Sequence, residues 1–160
     1  MTNADFVQEM RESLRKQKDG AALSIENKLH DAKVYQKEGA RTWQKLRELV
    51  VERIKQINNG EQDAPLEYEP DGDTSFGVRN RVADRGLVVT FEPPSATIAY
   101  RGAVAKGLFR ASVRGNALAY SWENTEPSSG VNVVHQTIGT VISIEKMGEI
   151  LLRAVVNAGY

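Results

Sequence analysis

The chain changes character twice along its length, and that order constrains its fold more than any single motif. Residues 1–58 are rich in Lys and Glu and carry helical periodicity. Residues 76–139 are rich in Val, Thr and Arg and are broken by turn residues every few positions. The last twenty residues return to a helical pattern. A run of strands between helical segments predicts an α+β fold: an N-terminal helical arm, an antiparallel meander of about six strands, and a C-terminal helix packed on one sheet face.

At 160 residues the chain is long enough to bury a sizeable core without staples. It divides into an arm over 1–58, an acidic linker over 59–75, and a sheet with its closing helix over 76–160. Twenty-one basic residues balance 21 acidic ones, so no global field recruits nucleic acid or a membrane surface. The absence of cysteine excludes disulfides and thiolate metal sites. The first ten residues lack the basic and apolar regions of a signal peptide, and the apolar runs are far shorter than the roughly 18 residues of a membrane span. Together these features predict a cytoplasmic protein with no membrane contact and no cofactor.

In the arm, Ile25, Leu29, Ala32, Gln36, Gly39, Trp43, Leu46 and Val50 recur at alternating spacings of four and three, and Ile54 and Ile57 continue the stripe. Phe6, Val7, Met10 and Leu14 form a shorter stripe, with Thr2 or Asn3 placed to cap it. Asp19-Gly20 and Glu38-Gly39 read as breaks, and Asn58-Asn59-Gly60 as a stop. The stripe has two readings: a seam for self-association or a partner helix, centred on Trp43, Leu46 and Val50, or an amphipathic face lying on the chain's own sheet. A helix over 25–57 would run about 50 Å, whereas a six-stranded sheet is only about 25 Å wide. Part of the arm must therefore extend past the sheet or fold back as a hairpin.

The linker holds six acids, no base, two prolines and two glycines between 58 and 75, a composition that predicts a loop. Its Asp71-Gly-Asp73-Thr-Ser75 stretch lacks the glycine and the closing glutamate of a calcium loop. The expected strands are Phe76–Val82, Leu87–Glu92, Ala96–Arg101, Leu108–Val113, Ala117–Glu123 and Val131–Ile138. Their short Gly- and Pro-containing links require antiparallel neighbours. Alternation assigns Phe76, Val78, Val82, Ile98, Tyr100, Phe109, Ala111 and Val113 to a core face, and arginines to the other. A closing helix is expected over 141–156, started by Thr140 or Ser143 and ended by Asn157-Ala-Gly159.

No nucleotide cradle, zinc spacing or nucleophile elbow occurs. The two histidines, His30 and His135, stand far apart in sequence and suggest no metal site. No motif selects a family, so order alone carries no function. The functional expectation is a non-enzymatic protein-interaction or scaffolding module that contacts a partner, or a second copy, through the arm. The alternative lies in residues 76–122, where seven cations meet two carboxylates. Arg79, Arg81, Arg110 and Arg114 alternate in two strands and could offer guanidinium forks to an anionic ligand or a single nucleic-acid strand. Those arginines would equally serve as a solvated face paired with the linker's acids. Nucleic acid is therefore not the expected partner.

Overall fold

The computed structural model describes residues 2–103, 105–125, 134–136 and 141–156, with residues 125 and 134–136 described as backbone alone. Helix α1 spans Asn3–Asn58 and helix α2 spans Ile144–Val156. Between them run β1 (Leu66–Pro70), β2 (Ser75–Asn80), β3 (Arg85–Glu92), β4 (Thr97–Gly102), β5 (Lys106–Arg114), β6 (Ala117–Thr125) and β7 (Val134–Gln136). All seven form one antiparallel sheet whose spatial order is the sequence order. The α+β meander with helices on one face is the architecture the sequence pattern implies.

The chain forms two compact units, residues 1–33 and residues 34–160. The first contains the N-terminal part of α1. Thr2 caps it: its Oγ1 accepts from the Asp5 amide at 3.2 Å, and the Asp5 carboxylate accepts from the Thr2 amide at 3.1 Å. Neither expected break interrupts α1. Gly20 sits within the helix with open space around it. Gly39 is buried, and a Cβ there would stand 2.6 Å from the Cβ of Ala96 in the β3–β4 turn. Its missing side chain therefore lets the helix approach that turn. The hairpin alternative for the arm does not occur, because the helix is continuous through both glycines.

In the second unit, the buried side chains Trp43, Leu46, Val50 and Ile54 of α1 and Met147, Ile150, Leu151 and Val155 of α2 join one core with the sheet. The sheet contributes alternate residues, among them Phe76, Val78, Leu87, Val89, Ile98, Tyr100 and Phe109. Trp43 stacks on Phe91 and tilts against Phe76, each with centroids 5.3 Å apart. Ser143 caps α2 by accepting from the Lys146 amide at 3.1 Å. The alternative cap Thr140, the terminal Asn157-Ala-Gly159 and the outer parts of the strand expected over 131–138 lie outside the described residues.

Two further sequence expectations are corrected. The acidic linker is not all loop, because Leu66–Pro70 forms β1, paired along β2. Asn58 holds this strand to the end of α1 through both halves of its amide: it donates to the Leu66 carbonyl at 2.7 Å and accepts from the Leu66 amide at 3.0 Å. The Trp43 indole donates to the Asp73 carbonyl at 2.7 Å. Second, Val82 does not face the core but is 83% exposed, because β2 ends at Asn80 and the turn begins there. Asn80 holds the buried position instead. Its amide donates to the Val155 carbonyl, and its Oδ1 accepts from the Val82 and Ala83 amides.

Candidate functional site

Trp43, Leu46 and Val50, the expected partner-binding stripe, are 4%, 0% and 0% exposed. Their apolar side chains are consumed by the chain's own core, which removes them from any outside contact without unfolding. Apart from Ile57 in its last turn, the large apolar residues that remain exposed on α1 lie nearer its start. Phe6, Val7, Met10, Leu14, Leu23, Ile25 and Leu29 are between 38% and 63% exposed. Every residue from 2 to 30 is exposed, His30 included.

The four arginines do not converge. Arg79 is on β2 and Arg81 just beyond it, whereas Arg110 and Arg114 are on β5. Because strand order follows sequence order, β3 and β4 lie between them. Three inter-strand steps separate the pairs by roughly 14 Å. The structure instead gives three of the four a carboxylate each. Arg79 meets Asp84 at 2.6 Å, Arg81 meets Glu67 at 3.1 Å, and Arg110 meets Glu123 at 2.9 and 3.3 Å. Glu123, by its hydrogen bonds and its charge, raises the pKa of the Arg110 guanidinium. Arg114 closes β5 opposite Ala117.

Two other cations stand directly opposite each other on the open face. Arg101 of β4 pairs in register with Lys106 of β5, and Val88 of β3 pairs with Arg101. One row further along the same face, Thr90, Ala99 and Leu108 follow one another across β3, β4 and β5. These six residues line a hollow of about 390 Å³ together with the backbone around Tyr100 and Gly107. Among the described residues no carboxylate lies within ion-pair distance of Arg101 or Lys106. The sequence offered both as members of the cationic run. Their juxtaposition depends on cross-strand register, which single-strand alternation does not supply.

Buried polar groups elsewhere serve the fold. Tyr120 donates to the Ala96 carbonyl at 2.9 Å, and burial pushes its pKa up to about 12. The Trp122 indole donates to the Tyr100 hydroxyl at 2.8 Å. Of His135, β7 fixes the backbone, opposite Asn124. Among the described residues no group of three His, Cys, Asp or Glu side chains is arranged to hold a metal ion, and no helix is long and apolar enough to cross a membrane. No protein-family model, curated protein or solved structure matches this chain.

Proposed function

We propose that the chain is a non-enzymatic interaction module that assembles through residues 3–33 of α1, pairing antiparallel with the same segment of a second copy. One observation carries this reading. The positions Val7, Met10, Leu14, Lys18, Ala21, Ile25, Leu29 and Ala32 are spaced 3, 4, 4, 3, 4, 4 and 3, a series that reads the same in both directions. A two-fold interface brings each residue against its mirror position, so an antiparallel helix pair needs such a series. Val7 would oppose the partner subunit's Ala32, Met10 the partner's Leu29, Leu14 the partner's Ile25, and Lys18 the partner's Ala21. The apolar members of this series are solvent-exposed in the single chain.

Eleven residues per three turns is 3.67 residues per turn, close to the period of a straight helix, so the two faces stay in contact with little supercoiling. The Lys18 stem can lie along the partner's Ala21 with its ammonium in water. On one flank Glu26 of each copy falls between the partner's Arg11 and Arg15, so charges as well as apolar positions match. Leu23 lies off this stripe and is not part of the contact.

The test exploits the absence of native cysteine. Chains carrying Met10→Cys are mixed with chains carrying Leu29→Cys under mild oxidation. The mixed disulfide is expected, and neither variant alone should cross-link, because in the antiparallel pair the two copies of residue 10 are about 28 Å apart. Light scattering should give a dimer that becomes a folded monomer in the Leu14→Glu/Ile25→Glu variant. A monomeric parent at high concentration, or self-cross-linking of Met10→Cys alone, overturns the reading.

A further inference from the structure

We infer that the hollow on the open sheet face is a binding site for a small amphipathic carboxylate, held by Arg101 and Lys106 at its head and by Val88, Ala99 and Leu108 along its tail. The inference is independent of how the first 33 residues associate. It starts from an electrostatic mismatch. Two cations directly opposite each other in neighbouring strands repel, and a sheet ordinarily places opposite charges there. The same face shows the ordinary solution nearby: Arg110 of β5 is paired with Glu123 of β6 in fork geometry. Arg79 and Arg81 are paired too. What sets the Arg101–Lys106 position apart is two cations directly opposite each other with no carboxylate in ion-pair distance among the described residues, and an anion from outside supplies the countercharge.

The surroundings restrict which anion. The hollow continues from the two cations onto Val88, which is 51% exposed, and onto the methyl of Ala99 and the side chain of Leu108. Thr90 supplies a hydroxyl at the far side. Ala99 lies between larger neighbours in its row, and its small side chain gives the hollow its depth. At about 390 Å³ it is at the lower end of the range of small-molecule sites. A free inorganic anion would leave the apolar floor wet, and an uncharged hydrocarbon would leave the cations unpaired. A carboxylate with a short alkyl or aryl tail satisfies both. The planar Arg101 guanidinium can donate two parallel N–H bonds to the carboxylate oxygens, and the Lys106 ammonium donates a third. A phosphorylated or nucleotide ligand matches less well, because one guanidinium fork and one ammonium face a floor that is mostly apolar.

Sodium octanoate is the probe, titrated into uniformly 15N-labelled full-length protein at low salt. Amide shifts should move at residues 88–90, 99–101 and 106–108, with a dissociation constant in the millimolar range or tighter, as suits so small a ligand. Acetate, which has the head without the tail, and inorganic phosphate should shift these amides far less at equal concentration. Arg101→Gln/Lys106→Gln should weaken octanoate binding by about tenfold or more, as loss of a charge-assisted fork implies. Ala99→Leu, which fills the hollow and keeps both cations, should abolish it. All three positions lie on the open face, so each variant's native amide spectrum serves as the check that it folds. The inference is overturned if octanoate leaves these amides unmoved, if binding is undiminished in Arg101→Gln/Lys106→Gln or persists in Ala99→Leu, or if phosphate binds equally well. It is also overturned if octanoate lowers the mass seen by light scattering in the Leu14→Glu/Ile25→Glu background, because a second copy seated on the hollow would then be its occupant.

Discussion

Replacing Gly39 with Ala sets two effects of opposite sign against each other, and the structure decides which wins. Within a helix, Gly→Ala ordinarily stabilises by about 1 kcal/mol through helix propensity. Here the new methyl would lie 2.6 Å from the Cβ of Ala96 and 3.4 Å from the Phe91 ring. Carbon atoms pack at about 3.5–4.0 Å, so the helix and the turn must part by roughly 1 Å. The obstacle is not the end of a flexible side chain. Ala96 is fully buried, sits in the left-handed region at φ 54°, and accepts the Tyr120 hydrogen bond through its carbonyl. Overpacking against so fixed a group falls in the upper part of its usual range, about 2–3 kcal/mol. The net expectation is a loss of about 1–2 kcal/mol, or roughly 4–8 °C in Tm, measured by urea and thermal unfolding followed by circular dichroism. Ala96→Gly removes the obstructing methyl and the left-handed strain together. The double variant Gly39→Ala/Ala96→Gly should therefore recover the parent stability or exceed it, giving a coupling energy of about 2 kcal/mol. Gly20→Ala, in open space on the same helix, should raise helix content without cost. A Gly39→Ala protein that melts above the parent would refute the close-approach argument.

Leu46→Glu should unfold residues 34–160 outright, since a carboxylate would replace a fully buried leucine at a cost of several kcal/mol; a folded monomer with native circular dichroism would show that the position is not core. Asn80→Ala should cost about 1–3 kcal/mol in urea unfolding, because it leaves the Val155 carbonyl and the Val82 and Ala83 amides without their partner. For Tyr120, the folded phenol holds its proton to about pH 12 while the unfolded one releases it near 10. The unfolded state then carries fewer protons in that window, so stability should fall as pH rises from 10 towards 12, by up to about 2–3 kcal/mol. Tyr120→Phe should flatten that part of the pH profile, and an unchanged slope would place the phenol in water.

The strands from β2 to β6 were legible because their alternation is clean: Phe109, Ala111 and Val113 against Arg110, Ser112 and Arg114 reads directly as two faces. β1 has the same period, Leu66 and Tyr68 inward with Glu67 and Glu69 outward, but acids and prolines are the composition of a loop. Those acids sit where an edge strand needs charge to deter further pairing. The two helix glycines depart from the expected breaks for a different reason. Glycine as a breaker is a local rule, whereas Gly39 answers to Ala96, 57 residues away in sequence. The arginine cluster failed on topology, because alternation says which face a residue takes but not which strand stands beside it. For the same reason the Arg101–Lys106 pair became visible only once register was known.

The sheet's strict sequential order also bears on how the chain is made. Each pairing joins strands adjacent in sequence, so the meander can grow hairpin by hairpin without closing a long loop. Its cover is divided in time. Residues 34–58 leave the ribosome before any strand, and residues 144–156 after all of them. At the usual rate of about 5–20 residues per second, the face later covered by Met147, Ile150 and Leu151 stays open for seconds after β2 and β3 have formed. During that interval the nascent protein carries a half-roofed apolar sheet. A chain stalled or cut before α2 would keep that surface permanently, which makes the docking of α2 the step that separates a covered sheet from a substrate for chaperones and proteases.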